Sequence, residues 1–168
     1  MHLWRACVAA PKLAKKAGVR TVMVSNGYIN PEPMKELLKY ISAVKVDLKG
    51  FTEDFYEKVT AGKLQPVLDT IKLVKKSGVH LEIVNLVIPT LNDDPKTLKK
   101  MCRWIAKEVG KDVPIHFTRF HPMYKLKNLP PTPAKTLEKC AQIATAAGLK
   151  YVYIGNLPGN KLNSTFCP

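Results

Sequence analysis

The 168-residue sequence is short of acidic residues, of aromatics and of closely spaced cysteines. Its four cysteines (Cys7, Cys102, Cys140 and Cys167) lie far apart, so neither CxxC nor CxxxCxxC occurs and the short-spaced thiolate motifs that hold metals are missing. Cys102 and Cys140 fall on the apolar sides of expected helices, where a free buried thiol is the plain reading, and the pattern suits a reducing, cytoplasmic setting. No apolar run is long enough to cross a bilayer, and the N-terminus lacks a signal-peptide layout, so no membrane partner is expected. No GxGxxG or Walker A motif is present, which removes the usual signatures of the nucleotide-binding open sheets.

The 13 acidic residues face 27 Lys and Arg, a net charge of +14. Such a balance invites a nucleic-acid partner. The lysines, however, come in small helical groups (Lys15-Lys16, Lys75-Lys76, Lys99-Lys100) read as helix C-termini, where cations suit the helix dipole, and no basic run is interleaved with aromatics. A basic module for RNA or acidic protein is therefore kept as a rival, not as the lead.

What is present is a repeated unit. Four helical patterns end in Gly and run into β-rich segments: Gly18 before Thr21–Val24, Gly78 before Leu81–Val84, Gly110 before Ile115–Phe117, and Gly148 before Tyr151–Ile154. Helix starts are read at Asn30-Pro31, Asp94-Pro95 and Thr132-Pro133, each a cap residue followed by Pro. Apolar stripes follow at helical spacing: Met34, Leu37, Leu38, Ile41; Val67, Leu68, Ile71, Val74 within a helix over Gln65–Ser77; Leu98, Met101, Cys102, Ile105; and Leu137, Cys140, Ala141, Ala144. The strands are expected at Arg20–Ser25, Ala43–Asp47, His80–Ile88, Pro114–Phe120 and Lys150–Ile154. Alternating β and α units imply an α/β fold with a parallel sheet and right-handed crossovers, and a partial (β/α) barrel is favoured over a doubly wound sheet. Polar residues cluster just past the strand ends, which is where barrels build their sites.

The stretch Val44–Gly50 concentrates this question. Val44, Val46 and Leu48 face one way, and Lys45, Asp47 and Lys49 the other. Three charges on a buried strand are costly unless they serve a site. Asp47 could orient Lys49 or hold a cation or hydroxyl; Lys49 could pair with a carboxylate or phosphate, or form a Schiff base as in a barrel lyase. Ser25-Asn26-Gly27 offers a hydroxyl, an amide and a close backbone approach, or is simply a tight turn. His121 could donate to a ligand or be a loop histidine, and the Met123–Pro133 loop is long enough to act as a lid.

Six segments in order, VSNGY (Val24–Tyr28), VDLKGF (Val46–Phe51), NLVIPTLNDD (Asn85–Asp94), TRFHPMYK (Thr118–Lys125), PPTP (Pro130–Pro133) and YVYIGNLPG (Tyr151–Gly159), resemble a radical S-adenosylmethionine enzyme. The likeness is to the AmmeMemoRadiSam type, akin to the pyruvate formate-lyase (glycyl-radical) activating enzymes. It implies a TIM-like partial barrel that binds S-adenosylmethionine and a [4Fe-4S] cluster, the reduced cluster splitting the sulfonium to a 5'-deoxyadenosyl radical. By position it implies cofactor-binding roles for Asn26, Asp47, Lys49, Asn85 and His121. Val24 and Val84 stand where activating enzymes carry Asp and Arg, and Lys45 stands where relatives carry a neutral residue.

The family's CxxxCxxC loop and its Glu-Pro motif are missing from this sequence. The chain is therefore expected to be the C-terminal half of such a barrel, from a truncated or split gene. Residues 1–155 would make the barrel part, and 156–168 a shortened tail. On this reading it does not cleave S-adenosylmethionine by itself, and it is expected to pair with an N-terminal half or to self-associate through its exposed first strand.

Overall fold

The computed structural model describes residues 2–165; the expected tail residue Cys167 lies outside them. Five parallel strands form one sheet in the order β1-β2-β3-β4-β5. They are β1 (Val22–Ser25), β2 (Ala43–Asp47), β3 (His80–Val87), β4 (Ile115–Arg119) and β5 (Val152–Gly155). Helices α1 (His2–Lys16), α2 (Pro31–Leu38), α4 (Leu64–Lys76), α5 (Pro95–Trp104) and α6 (Ala134–Ala146) alternate with them, and the short α3 (Glu53–Phe55) follows β2.

Strand order equal to chain order requires every crossover to have the same hand, so all the helices cover one face of the sheet. Burial agrees. Along β2, Val44 and Val46 are buried and Lys45 and Asp47 only partly so. Val44, Val46, Leu48, Ile83, Ile115, Phe117 and Ile154 are at most 1% exposed, packed against the helical layer. This is the partial TIM-like barrel that the sequence implies, with one dry face and one open, barrel-interior face.

The expected helix stripes are all buried. Gly18, Gly78, Gly110 and Gly148 all have positive φ, as helix stop signals should. Other strand and helix ends shift by one or two residues, among them β5, which begins at Val152 and not Lys150, and three differences have a local cause. β1 begins at Val22, not Arg20, because Thr21 is occupied by the Ser42 and Tyr40 hydrogen bonds that fasten the α2–β2 turn. Lys99 and Lys100 sit in mid-helix, because α5 runs directly into a π-turn over Ile105–Val109. Thr132 is not a helix cap, because Pro133 takes that position. Thr132 is fully buried instead; its hydroxyl accepts from Phe120 N at 2.9 Å and donates to Val87 O, joining the ends of β3 and β4.

Candidate functional site

β1, β2 and β3 end side by side, and the loops that follow them enclose a cavity of about 400 Å³. Asn26, Asp47 and Lys49 all line it. Asp47 is the last residue of β2, and the pleat sends Lys49 out on the same side, where its Nζ meets Asp47 Oδ2 at 3.0 Å. The two side chains are 40% and 35% exposed, so the pair contributes on the order of 1 kcal/mol or less to stability. Its worth lies in presenting a fixed cation and anion to the cavity.

The Asn26-Gly27 stretch is both things the sequence allowed. Ser25 Oγ accepts from Gly27 N at 3.1 Å and Asn26 Oδ1 from Tyr28 N at 2.9 Å, which makes a tight turn. Gly27 has φ +73, and a Cβ there would come within 2.8 Å of Val46 Cγ1. Only glycine lets this loop lie so close to the sheet while Asn26 lines the cavity.

The backbone beneath Lys49 is fastened from both sides. Asn92, 6% exposed, donates from Nδ2 to Lys49 O at 2.6 Å and to Leu86 O at 2.8 Å, and its Oδ1 accepts from Ile88 N at 2.6 Å. From the roof, the Tyr56 hydroxyl accepts from Lys49 N at 3.3 Å. That roof is α3 continued as a π-turn over Tyr56–Thr60, closing on Ala61 in the left-handed region. Glu53 Oε2 accepts from Leu64 N at 3.0 Å and ties the roof to the start of α4.

The structure does not bring the other two expected residues here. Asn85 shares the helix-side face of β3 with Ile83 and Val87; it is 1% exposed, and its Nδ2 donates to Leu48 O at 2.7 Å. It braces the end of β2 from behind instead of lining the cavity. His121 is exposed, one residue past Phe120, and is absent from the cavity wall. The Met123–Pro133 loop is not a lid over this cavity either; none of it lines the wall, and Met123 and Tyr124 are 72% and 81% exposed.

Lys45 finds its surroundings further down the open face. It pairs in register with Val24 and Glu82, while Val84 pairs with His116 and His116 with Tyr153. Glu82 joins His116 Nε2 at 3.0 Å and His80 Nε2 at 3.3 Å, and the His116 ring stacks on Tyr153 at 4.9 Å. Burial, then the charge of Lys45, holds the His116 imidazole below its usual range against the pull of Glu82. Burial would raise Glu82, but the two imidazoles together bring it below the ordinary carboxylate range. The consistent assignment is a neutral His116 donating to an ionised Glu82. Sequence reasoning overlooked this cluster, although the alternation of β3 and β4 already places Glu82 and His116 on one face.

Among the described residues no group of three or more His, Cys, Asp or Glu side chains is placed to hold a metal ion. Cys7 is exposed, while Cys102 and Cys140 are buried free thiols that burial pushes up to about 12. Such thiols are poor ligands because the thiolate is the binding form. The described residues therefore do not fit a [4Fe-4S] cluster. They do fit the zwitterionic end of an amino acid, with a cation, an anion and an amide around one cavity.

Comparison with known proteins follows the same line. The sequence profile of the Radical SAM superfamily matches residues 2–104. An uncharacterized protein of Methanocaldococcus jannaschii is 46% identical over 156 residues, which are 93% of this chain and 46% of that protein. The pyruvate formate-lyase-activating enzyme of Clostridium pasteurianum is 27% identical over 110 residues, 66% of this chain and 45% of that enzyme. The chain thus spans about half the length of these curated relatives. Among solved structures, a domain of pyruvate-formate lyase-activating enzyme from Bacteroides vulgatus superposes with a TM-score of 0.78 at 19% identity, covering 89% of each chain. Streptococcus suis SuiB bound to S-adenosylmethionine superposes with a TM-score of 0.70 at 8% identity, over 90% of this chain and 36% of that one. These two structures share the fold.

Proposed function

The chain belongs to the radical S-adenosylmethionine (SAM) superfamily, and on that premise we propose that its cavity at the ends of β1–β3 cradles the amino-acid end of S-adenosylmethionine. The observation that carries this reading is the Asp47–Lys49 ion pair, set with Asn26 in the wall of one cavity of about 400 Å³. Lys49 holds the carboxylate, Asp47 receives the ammonium through the oxygen that Lys49 leaves free, and the Asn26 amide nitrogen supplies a further donor. S-adenosylmethionine, when bound, supplies a sulfonium whose reductive cleavage is the source of the family's radical chemistry. The residues of this chain bind and orient it, and none of their roles runs through a cluster. The complete reaction, activase-like hydrogen abstraction from a substrate, belongs to an assembled enzyme of which this chain is the cofactor-cradling part.

The reading is tested by calorimetric titration of the purified chain with S-adenosylmethionine. Lys49→Met removes a charge-assisted contact and is expected to weaken binding about ten- to a hundredfold. Affinity equal to wild type in Lys49→Met defeats the assignment. The Schiff-base alternative is disfavoured, because a nucleophilic amine must be neutral and desolvated, whereas Lys49 is 40% exposed and held against a carboxylate.

A partner follows from the first strand. β1 is an edge of the described sheet, and Val22 and Val24 are 67% and 68% exposed on its open face. Unpaired backbone groups beside exposed valines are a template for another strand. In the isolated chain the strand available is that of a second copy, so we propose dimers joined β1 to β1, the place that a complementing half-barrel takes in the assembled enzyme. Light scattering is expected to show mass rising towards the dimer with concentration, and Val24→Lys to return it to the monomer. Wild-type chain that stays monomeric throughout rules this out.

A further inference from the structure

We propose that the Tyr56 hydroxyl is a ligand-binding group of the cavity, donating its proton to the carboxylate that Lys49 holds, so that carboxylate recognition rests on two donors. The proposal deepens the cofactor reading above and rests on it. Tyr56 comes from the roof, not from a strand end, and its ring is 3% exposed and packed edge-on to Phe55 at 6.1 Å. Its oxygen is already engaged as an acceptor. Lys49 N donates to it at 3.3 Å, and the Gly50 amide also points towards it. A phenol has one proton to give. No acceptor among the described residues receives that proton, although Tyr56 lines the cavity.

A buried donor without an acceptor is costly unless something completes it. The nearby carboxylate does not do so, since Asp47 acts on Tyr56 through its charge and, among the described residues, the hydrogen bond to its side chain comes from Lys49. Burial pushes the phenol up to about 12, so the group remains a donor across the working pH range. What one cavity wall offers is therefore the Lys49 ammonium and a neutral O–H that is bonded to the Lys49 backbone. One acceptor with two oxygens answers both: a carboxylate, taking a charged bond from Lys49 and a neutral one from Tyr56. Aromatic bulk alone would not need the hydroxyl, and Phe would fill the same space.

Two ligands separate this role from a merely structural one. S-adenosylmethionine carries the carboxylate, whereas its decarboxylated form keeps the sulfonium, the amine and the adenosyl group without it. Both are titrated into wild-type chain and Tyr56→Phe, with thermal melting of each protein alongside. Wild type is expected to prefer S-adenosylmethionine at least tenfold. Tyr56→Phe is expected to weaken S-adenosylmethionine about tenfold and to leave the decarboxylated form within about twofold. Equal loss for both ligands means that Tyr56 acts only through the Lys49 backbone, which overturns the proposal, as does no loss for either. If Tyr56→Phe does not fold, the wild-type comparison decides, because equal wild-type affinity for the two ligands shows that the carboxylate is not read. Wild-type chain that binds neither ligand defeats the cofactor reading itself, a result distinct from these.

Discussion

Replacing Asn92 by Leu is expected to cost about 3–5 kcal/mol of folding stability and, on the proposed cofactor reading, to weaken S-adenosylmethionine binding with it. The side chain fills its site through three hydrogen bonds, not through contact area: it accepts from Ile88 N and donates to Lys49 O and Leu86 O. Leucine has a similar volume, so no large cavity forms. What changes is that one amide and two carbonyls lose their partner. Each such group costs about 1–3 kcal/mol when it remains buried. The loop is near the surface and water can enter, so the lower part of that range applies. A chain of this length loses about 2–4 °C of melting temperature per kcal/mol, which puts the drop near 10 °C. Calorimetry on the variant reads it, and a drop under about 2 °C would show that Asn92 is dispensable. The weaker binding expected on that reading has the same origin, since the carbonyl that Asn92 holds belongs to Lys49.

Thr132→Val is expected to be nearly as damaging, about 2–4 kcal/mol, at a residue that is not part of the cavity wall. The two side chains have the same shape, and the site is completely buried, so packing is unchanged. Valine leaves Phe120 N and Val87 O without the hydroxyl that joins them, at the point where β3 and β4 deliver their chains to the loops. Thr132→Ser keeps the hydroxyl and loses one methyl, worth about 1 kcal/mol. Chemical denaturation of the pair separates the two contributions. Serine and valine variants of equal stability would mean that the bond is not what matters.

The fold was legible because two periods were clean. Val44-Lys45-Val46-Asp47 alternates in sequence and alternates in burial, and every helix stripe from Met34 to Ala144 faces the sheet. Gly stops and Pro starts bounded those elements locally. Asp47, Lys49 and Asn26 were legible as a group for the same reason, since parity and strand ends alone place them together. The roof was not. Residues 51–63 carry no helical period, and a π-turn closing on a left-handed Ala61 has no sequence signature comparable to a Gly stop. Asn92 was visible as a polar loop residue, but its bond to Lys49 spans 43 positions and depends on the loops' final approach. Asn85 lies behind the sheet, because it shares the parity of Ile83 and Val87 and so belongs with the helices. His121 lies beyond the last β4 residue, Arg119, where alternation no longer fixes a direction.

The sheet's consecutive order also bears on how the cavity comes into being. Every residue in its wall falls between Asn26 and Ile88, one contiguous stretch that begins just past β1 and contains β2 and β3. Closing it joins only neighbouring βα units, through parallel pairings such as Val22 with Ala43 and Ala43 with His80, which are non-local contacts whose closure entropy must be met before they form. β4 and β5 add nothing to the wall. The pocket is thus assembled from successive pairings between neighbouring units, with its whole wall supplied before the chain reaches the far side of the sheet.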